Sequence, residues 1–114
     1  MLTIAHKEIR KTMIKAAKTG DVVYYGELMK IAGLDHELAC DRGFLGEVLA
    51  DINDVEIKKG NPPLSVVAVS RGESNMPSKG FFEYIDDRGL RKAGEDNVAV
   101  FCRLYLDATN TKWK

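Results

Sequence analysis

From Phe44 to about Lys58, apolar residues recur at the i, i+3, i+4, i+7 positions: Leu45, Val48, Leu49 and Ile52. Glu47, Asp51, Asp54 and Glu56 fall off that stripe. The spacing predicts a helix with one buried face and one solvated face. Gly60-Asn-Pro-Pro63 ends it, because proline lacks the amide proton a helix needs and restricts the residue before it. A second helical pattern runs from Ile4 to Lys18, where Ile9, Met13, Ala16 and Ala17 form the apolar side. Thr3 is its expected N-cap, and Gly20 its stop.

Between these two segments, Asp21 to Tyr25 joins two valines to two tyrosines and reads as a short strand or an extended entry to the next element. Gly26 to Ala32 reads as a short helix closed by Gly33, and Asp35 as the cap of a further turn through Cys40. Leu64 to Val69 is β-branched, nearly all apolar, and bounded by Pro63 and Gly72, which predicts a strand buried on both faces. Ser70 to Gly80 is polar and predicts a loop. Phe81 to Asp86 is expected to be a short helix, followed by turns from Asp87 to Asn97. Val98 to Leu106 fits both periods. It reads here as a helix capped by Asp96 and running towards Trp113. No repeat or linker interrupts the chain. The elements predict one α+β domain over residues 1–114, mainly helical, with a small two- or three-stranded sheet.

The composition narrows the class. A chain of 114 residues with 45% hydrophobic content supports one core and excludes a disordered protein. Seventeen basic and 17 acidic residues leave no formal net charge, so bulk attraction to nucleic acid or anionic lipid is not expected. Any such affinity requires positive side chains gathered on one face. The cysteines Cys40 and Cys102 are too few for a disulfide framework, and free thiols in a reducing, cytoplasmic setting are expected. The N-terminus mixes apolar and charged residues rather than forming a signal peptide. No apolar run approaches ~18 residues, so no membrane span is expected.

Several patterns bear on chemistry. His36 and Cys40, four residues apart, could offer two metal ligands on one helical face. Asp41 and Cys102 could join them only through folding, and no metal is expected there. The plainer expectation is a surface histidine and a buried thiol. Asp54-Val-Glu-Ile-Lys58 has the acid, acid, lysine order used around Mg²⁺ in some nucleases, but at the end of a helix it reads as a solvated face. His6 and His36 have no serine or cysteine at catalytic spacing. Gly72, Gly80 and Gly89 make no phosphate loop. The polar loop is richer: Ser70, Arg71, Ser74, Asn75, Ser78 and Lys79 carry donors suited to phosphate oxygens, and Gly80 lets a backbone approach closely. Of Tyr24 and Tyr25, one could face outwards to a phosphate or a base, or both could pack beneath the next helix.

Gly20-Asp-Val-Val-Tyr-Tyr-Gly26 with its short helix resembles the GxVxTYGxIA segment of the O6-alkylguanine-DNA alkyltransferases and alkyltransferase-like proteins. Phe44-Leu-Gly-Glu-Val-Leu49 is similar to their AVGxAL helix. Asn61-Pro62 is similar to their NP, Ser70-Arg71 follows a strand, and Gly80-Phe81 falls where they carry Gly-Tyr. The resemblance covers roughly residues 20 to 82. It implies a winged-helix-like domain that grips DNA in the minor groove through a helix-turn-helix and flips the damaged base. Their reactive PCHR centre falls on Ala68-Val69-Ser70-Arg71, so Val69 stands at the cysteine, Ser70 at the histidine, and only Arg71 matches. Alkyl transfer needs an activated thiolate, which this chain lacks there. Tyr25 matches the family's phosphate-contacting tyrosine. Arg42 lies one place from the position of its intercalating arginine.

The leading expectation is therefore a non-catalytic nucleic-acid-binding module with DNA as partner and no cofactor. The helix-turn-helix spans Gly26 to about Lys58, and the loop from Arg71 to Lys79 serves as a wing. Tyr25, Arg42, Ser70, Arg71, Lys79 and Gly80 carry the contacts. One alternative is a protein-interaction or homodimerisation subunit, presenting Phe81, Phe82, Tyr84 or Trp113 as exposed aromatics. Another is a metal-dependent hydrolase or nuclease built on Asp51, Asp54, Glu56 and Lys58.

Overall fold

The computed structural model describes residues 4–72 and 75–113. In chain order it contains helix α1 (Ile4–Thr19), strand β1 (Val23–Tyr24), helix α2 (Tyr25–Ile31), helix α3 (Ala39–Lys58), a 3₁₀ turn (Leu64–Val67), strand β2 (Ala68–Val69), helix α4 (Lys79–Asp87) and helix α5 (Asn97–Thr109). β1 and β2 pair in parallel, Val23 opposite Ala68 and Tyr24 opposite Val69. The domain is thus mostly helical with a two-stranded parallel sheet, and α2 and α3 lie in the crossover between the strands. Among the described residues, no helix is long and apolar enough to cross a membrane.

α1 buries the apolar side its spacing predicts, together with His6. Its expected cap, Thr3, lies outside the described residues. α2 and α3 end alike. Gly33 and Gly60 take φ of 71° and 85°, and the following amide donates back to the carbonyl five residues earlier, Leu34 to Met29 and Asn61 to Glu56. Only glycine adopts that backbone without strain, so these two positions fix where each helix stops.

The Leu64–Val69 segment forms a strand only at its last two residues. The preceding four coil into the 3₁₀ turn. Two facts account for this. β1 offers only Val23 and Tyr24 as partners. The Ser65 amide donates to Asn53 Oδ1 at 2.9 Å, and Asn53 Nδ2 donates to Ser65 Oγ at 2.7 Å, which pins the turn to α3. The run of apolar residues reported burial rather than strand. Leu64, Val66, Val67, Ala68 and Val69 are all fully buried, and the turn touches α1, α3 and α5.

α3 begins at Ala39, five residues before the periodic stripe at Phe44. The Asp41 and Arg42 amides both donate to the Leu38 carbonyl, and Asp41 Oδ2 accepts from the Asp35 amide at 2.8 Å. Asp35 caps a turn as expected, its Oδ1 accepting from the Glu37 amide at 2.9 Å and its carbonyl from the Leu38 amide, but that turn stops before α3, and Cys40 lies inside α3, exposed rather than buried. α4 begins at Lys79, so Lys79 and Gly80 occupy a helical turn instead of a loop. Val98–Leu106 is helical, and Asp96 caps α5 by accepting from the Ala99 amide at 2.8 Å.

Polar ties hold the helices together. Glu56, expected on a solvated face, is fully buried. Arg10 Nε of α1 donates to its Oε2 at 2.9 Å, Asn61 Nδ2 donates to its Oε1 at 3.1 Å, and Lys59 Nζ lies 3.8 Å away. His6 meets Asp51 at 3.2 Å. Tyr84 of α4 donates to Asp54 of α3 at 2.6 Å, and Arg88 donates to both oxygens of the same carboxylate. Arg103 of α5 grips Glu95 at 2.8 and 2.9 Å and donates to the Leu90 carbonyl.

Candidate functional site

The chain folds so that four distant segments meet around one cleft. Tyr25 opens α2, Arg42 sits in the first turns of α3, Ser70 follows β2, and Gly80 lies in the first turn of α4. All four line a cleft of about 590 Å³. Its walls are mainly apolar, with Met29, Leu45, Leu49 and Phe81 among them, and Asn53 and Ser65 on the α3 side. Concave and mostly apolar surroundings with a few placed polar groups are typical of ligand-binding clefts.

Tyr25 is committed to the protein rather than pointing freely outwards. Its hydroxyl accepts the Ser78 amide at 2.9 Å, which ties α2 to the segment leading into α4. Burial pushes its phenol above the ordinary value, opposed by the bonds from Ser78. The intervening loop closes on itself where the Ser70 amide donates to the Met76 carbonyl at 3.0 Å. Ser74 lies outside the described residues. Among the described residues, a Cβ at Gly80 would meet only Ser78 Oγ, at 3.6 Å, so none of them demands glycine there.

On the cleft's far side, Tyr84 is held by Asp54. Burial, and then its bond to that carboxylate, raises the Tyr84 phenol far above its usual range. The Tyr84 bond, followed by Arg88, lowers Asp54. At neutral pH Tyr84 is a protonated donor already in use, which suits it to hold α4 against α3 and not to accept a substrate proton.

A wider groove of about 910 Å³ adjoins the cleft and shares Tyr25, Met29, Arg42 and Ser70 with it. Arg71, Tyr24, Lys30 and His36 extend this second groove. Arg42 Nη1 donates to the His36 carbonyl at 2.8 Å, which holds the guanidinium over the α2–α3 connection. Arg71 lies 4.1 Å from the centre of the Tyr24 ring, a cation–π contact, and its Nη2 is 4.0 Å from Glu27. Its side chain remains 76% exposed, so that pair is loosely held. Lys79 is exposed beside Ser78 and Gly80 and lines neither groove. Five of the six expected contact residues thus line the two joined grooves, and the sixth flanks one rim. Glu47 in the cleft and Asp35 in the groove temper the positive charge.

The other candidates separate. Val69, at the position of the family's reactive cysteine, is fully buried. Cys40 and Cys102 are exposed, and neither lines the grooves. Asp51, Asp54 and Glu56 turn to three different partners, His6, Tyr84 with Arg88, and Arg10. Among the described residues, no three His, Cys, Asp or Glu side chains are placed to hold a metal. Phe81, Phe82, Tyr84 and Trp113, expected to be exposed in an interaction subunit, are between 5% and 8% exposed. Phe81 and Tyr84 instead form part of the cleft wall, a role their i, i+3 spacing would have fitted. Compared with protein-family models, curated proteins and solved structures, the chain matches none.

Proposed function

We propose that this chain is a non-catalytic nucleic-acid-binding module that contacts its partner through the joined grooves between α2, α3 and α4. In this reading α2, its connection and α3 act as a helix-turn-helix, and the loop after β2 acts as a wing. The observation that carries it is the meeting of Arg42 and Arg71 on one groove beside Tyr24, Tyr25 and Ser70. Two guanidiniums, a tyrosine pair and a hydroxyl are the donors and stacking faces that phosphates and bases take. Nearby acids make the field mixed, so the contacts orient a strand locally and do not attract it over long range.

Anisotropy titrations with labelled duplex and single-stranded oligonucleotides over a series of salt concentrations test this reading. Binding should weaken with salt. In Arg42→Ala/Arg71→Ala the slope of log K against log salt should shrink by about 2, one counterion for each lost phosphate contact. No binding at low salt, or a double variant that binds like the parent, would sink it.

A further inference from the structure

The absence of net charge conceals an uneven distribution. α1 contains five basic residues, Lys7, Arg10, Lys11, Lys15 and Lys18, and one acid, Glu8. That leaves 12 basic and 16 acidic residues for the rest of the chain. One helix therefore carries a charge of +4, balanced by −4 elsewhere. Arg10 is turned inwards to Glu56. The four lysines are all exposed, and among the described residues none has a carboxylate within ion-pair distance.

Their spacing places them in a row. At about 100° per residue, Lys7, Lys11, Lys15 and Lys18 fall within an arc of about 80° and extend about 16 Å along the axis. The buried side of α1, from His6 to Ala17, lies roughly opposite. No residue of α1 lines either groove. The row is a second surface, separate from the candidate site.

We propose that the outer face of α1 binds the phosphodiester backbone of a nucleic acid, independently of base sequence. A linear row of charges matches a linear polyanion. Lysine supplies compact, flexible point charges that follow phosphates and do not read base edges with fixed geometry. An anionic membrane is a poorer fit, because lysines alone give only weak electrostatic attraction to it, and stable attachment also takes an apolar face free to enter the lipid. The apolar face of α1 is spent on the core, leaving only Ile4 exposed at its start. The surface requires nothing of the grooves, so it stands or falls separately from their assignment.

The test uses the whole chain. Lys7→Gln/Lys11→Gln/Lys15→Gln/Lys18→Gln should keep its circular dichroism and lose about 3 to 4 from the salt slope for duplex binding. Each half of the set, Lys7→Gln/Lys11→Gln or Lys15→Gln/Lys18→Gln, should lose about half of that, and the four Lys→Arg changes should lose none. Loss in the glutamine variant but not in Arg42→Ala/Arg71→Ala supports the α1 surface and overturns the groove reading. Loss only in the arginine variant does the reverse. An unchanged slope in both half-sets overturns the α1 proposal. So does lysine-dependent binding to phosphatidylserine vesicles with none to duplex or single strand.

Discussion

Replacing Glu56 with glutamine preserves the shape of the side chain and removes its charge. The carboxylate is fully buried between α1 and α3 and takes hydrogen bonds from Arg10 and Asn61, with Lys59 nearby. Breaking a fully buried ion pair costs about 3–5 kcal/mol. Here the Arg10 side chain keeps 20% of its exposure and Lys59 keeps 56%, so water can solvate both cations when the carboxylate is lost. The expected cost at neutral pH is therefore lower, about 2 kcal/mol. With an unfolding entropy of about 2.1 cal/mol/K per residue, that lowers Tm by about 8 °C.

The pH dependence gives a sharper check. Burial raises the Glu56 carboxyl, but the bonds from Arg10 and Asn61 and the charges of Arg10 and Lys59 outweigh it and hold the group below its ordinary value. Its contribution is complete above the ordinary carboxylate pKa of about 4.3 and disappears as pH falls through the lower folded value. Urea unfolding of parent and Glu56→Gln should differ at pH 7 and converge in acid. A gap below ~0.5 kcal/mol at pH 7, within ordinary surface-substitution scatter, or one that persists undiminished in acid, would refute the reasoning.

Three further outcomes are expected. In an NMR titration the Glu95 carboxyl should have a midpoint at about 2, because Arg103 and then the Lys92 amide bond it, and Arg103→Ala should return it towards the ordinary range. Ser65→Ala leaves the buried Asn53 amide short of a partner and should cost about 1–3 kcal/mol in denaturant unfolding, whereas Ser78→Ala, which keeps the amide bonded to Tyr25, should change stability little. Asp96→Ala removes the cap of α5 and should cost about 1 kcal/mol, accompanied by faster amide exchange at Ala99.

Patterns that depend on neighbours in sequence were legible. The apolar sides of α1 and α3, the stop at Gly33, the Asp96 cap and the helicity of Val98–Leu106 follow from spacing and local capping chemistry. What depends on distant partners was not. Leu64–Val67 has the composition of a strand, yet it coils because Asn53 takes its amide and β1 is only two residues long. Glu56 falls off the apolar stripe, yet it is buried because Arg10, 46 residues away, reaches it. At the candidate site, Tyr25 and Arg42 came from motif resemblance and Ser70, Arg71 and Gly80 also from the polar composition of their loop, but their spatial meeting could be known only from the fold. The walls at Leu45, Leu49, Phe81 and Tyr84 were hidden because apolar periodicity does not distinguish a residue that fills the core from one that borders a cleft. Charge totals likewise hid the row on α1.

The pairing of Asn53 with Ser65 also separates the native arrangement from compact alternatives in energy. Leu64, Val66 and Val67 would collapse almost as readily in several alignments, since oily side chains discriminate poorly between neighbouring positions. An alignment slipped by one residue leaves a dehydrated carboxamide without its matching amide and hydroxyl, so wrongly threaded compact forms are raised in energy relative to the correct one. Two short polar side chains thereby help select a single topology for a domain whose sheet contributes only four residues.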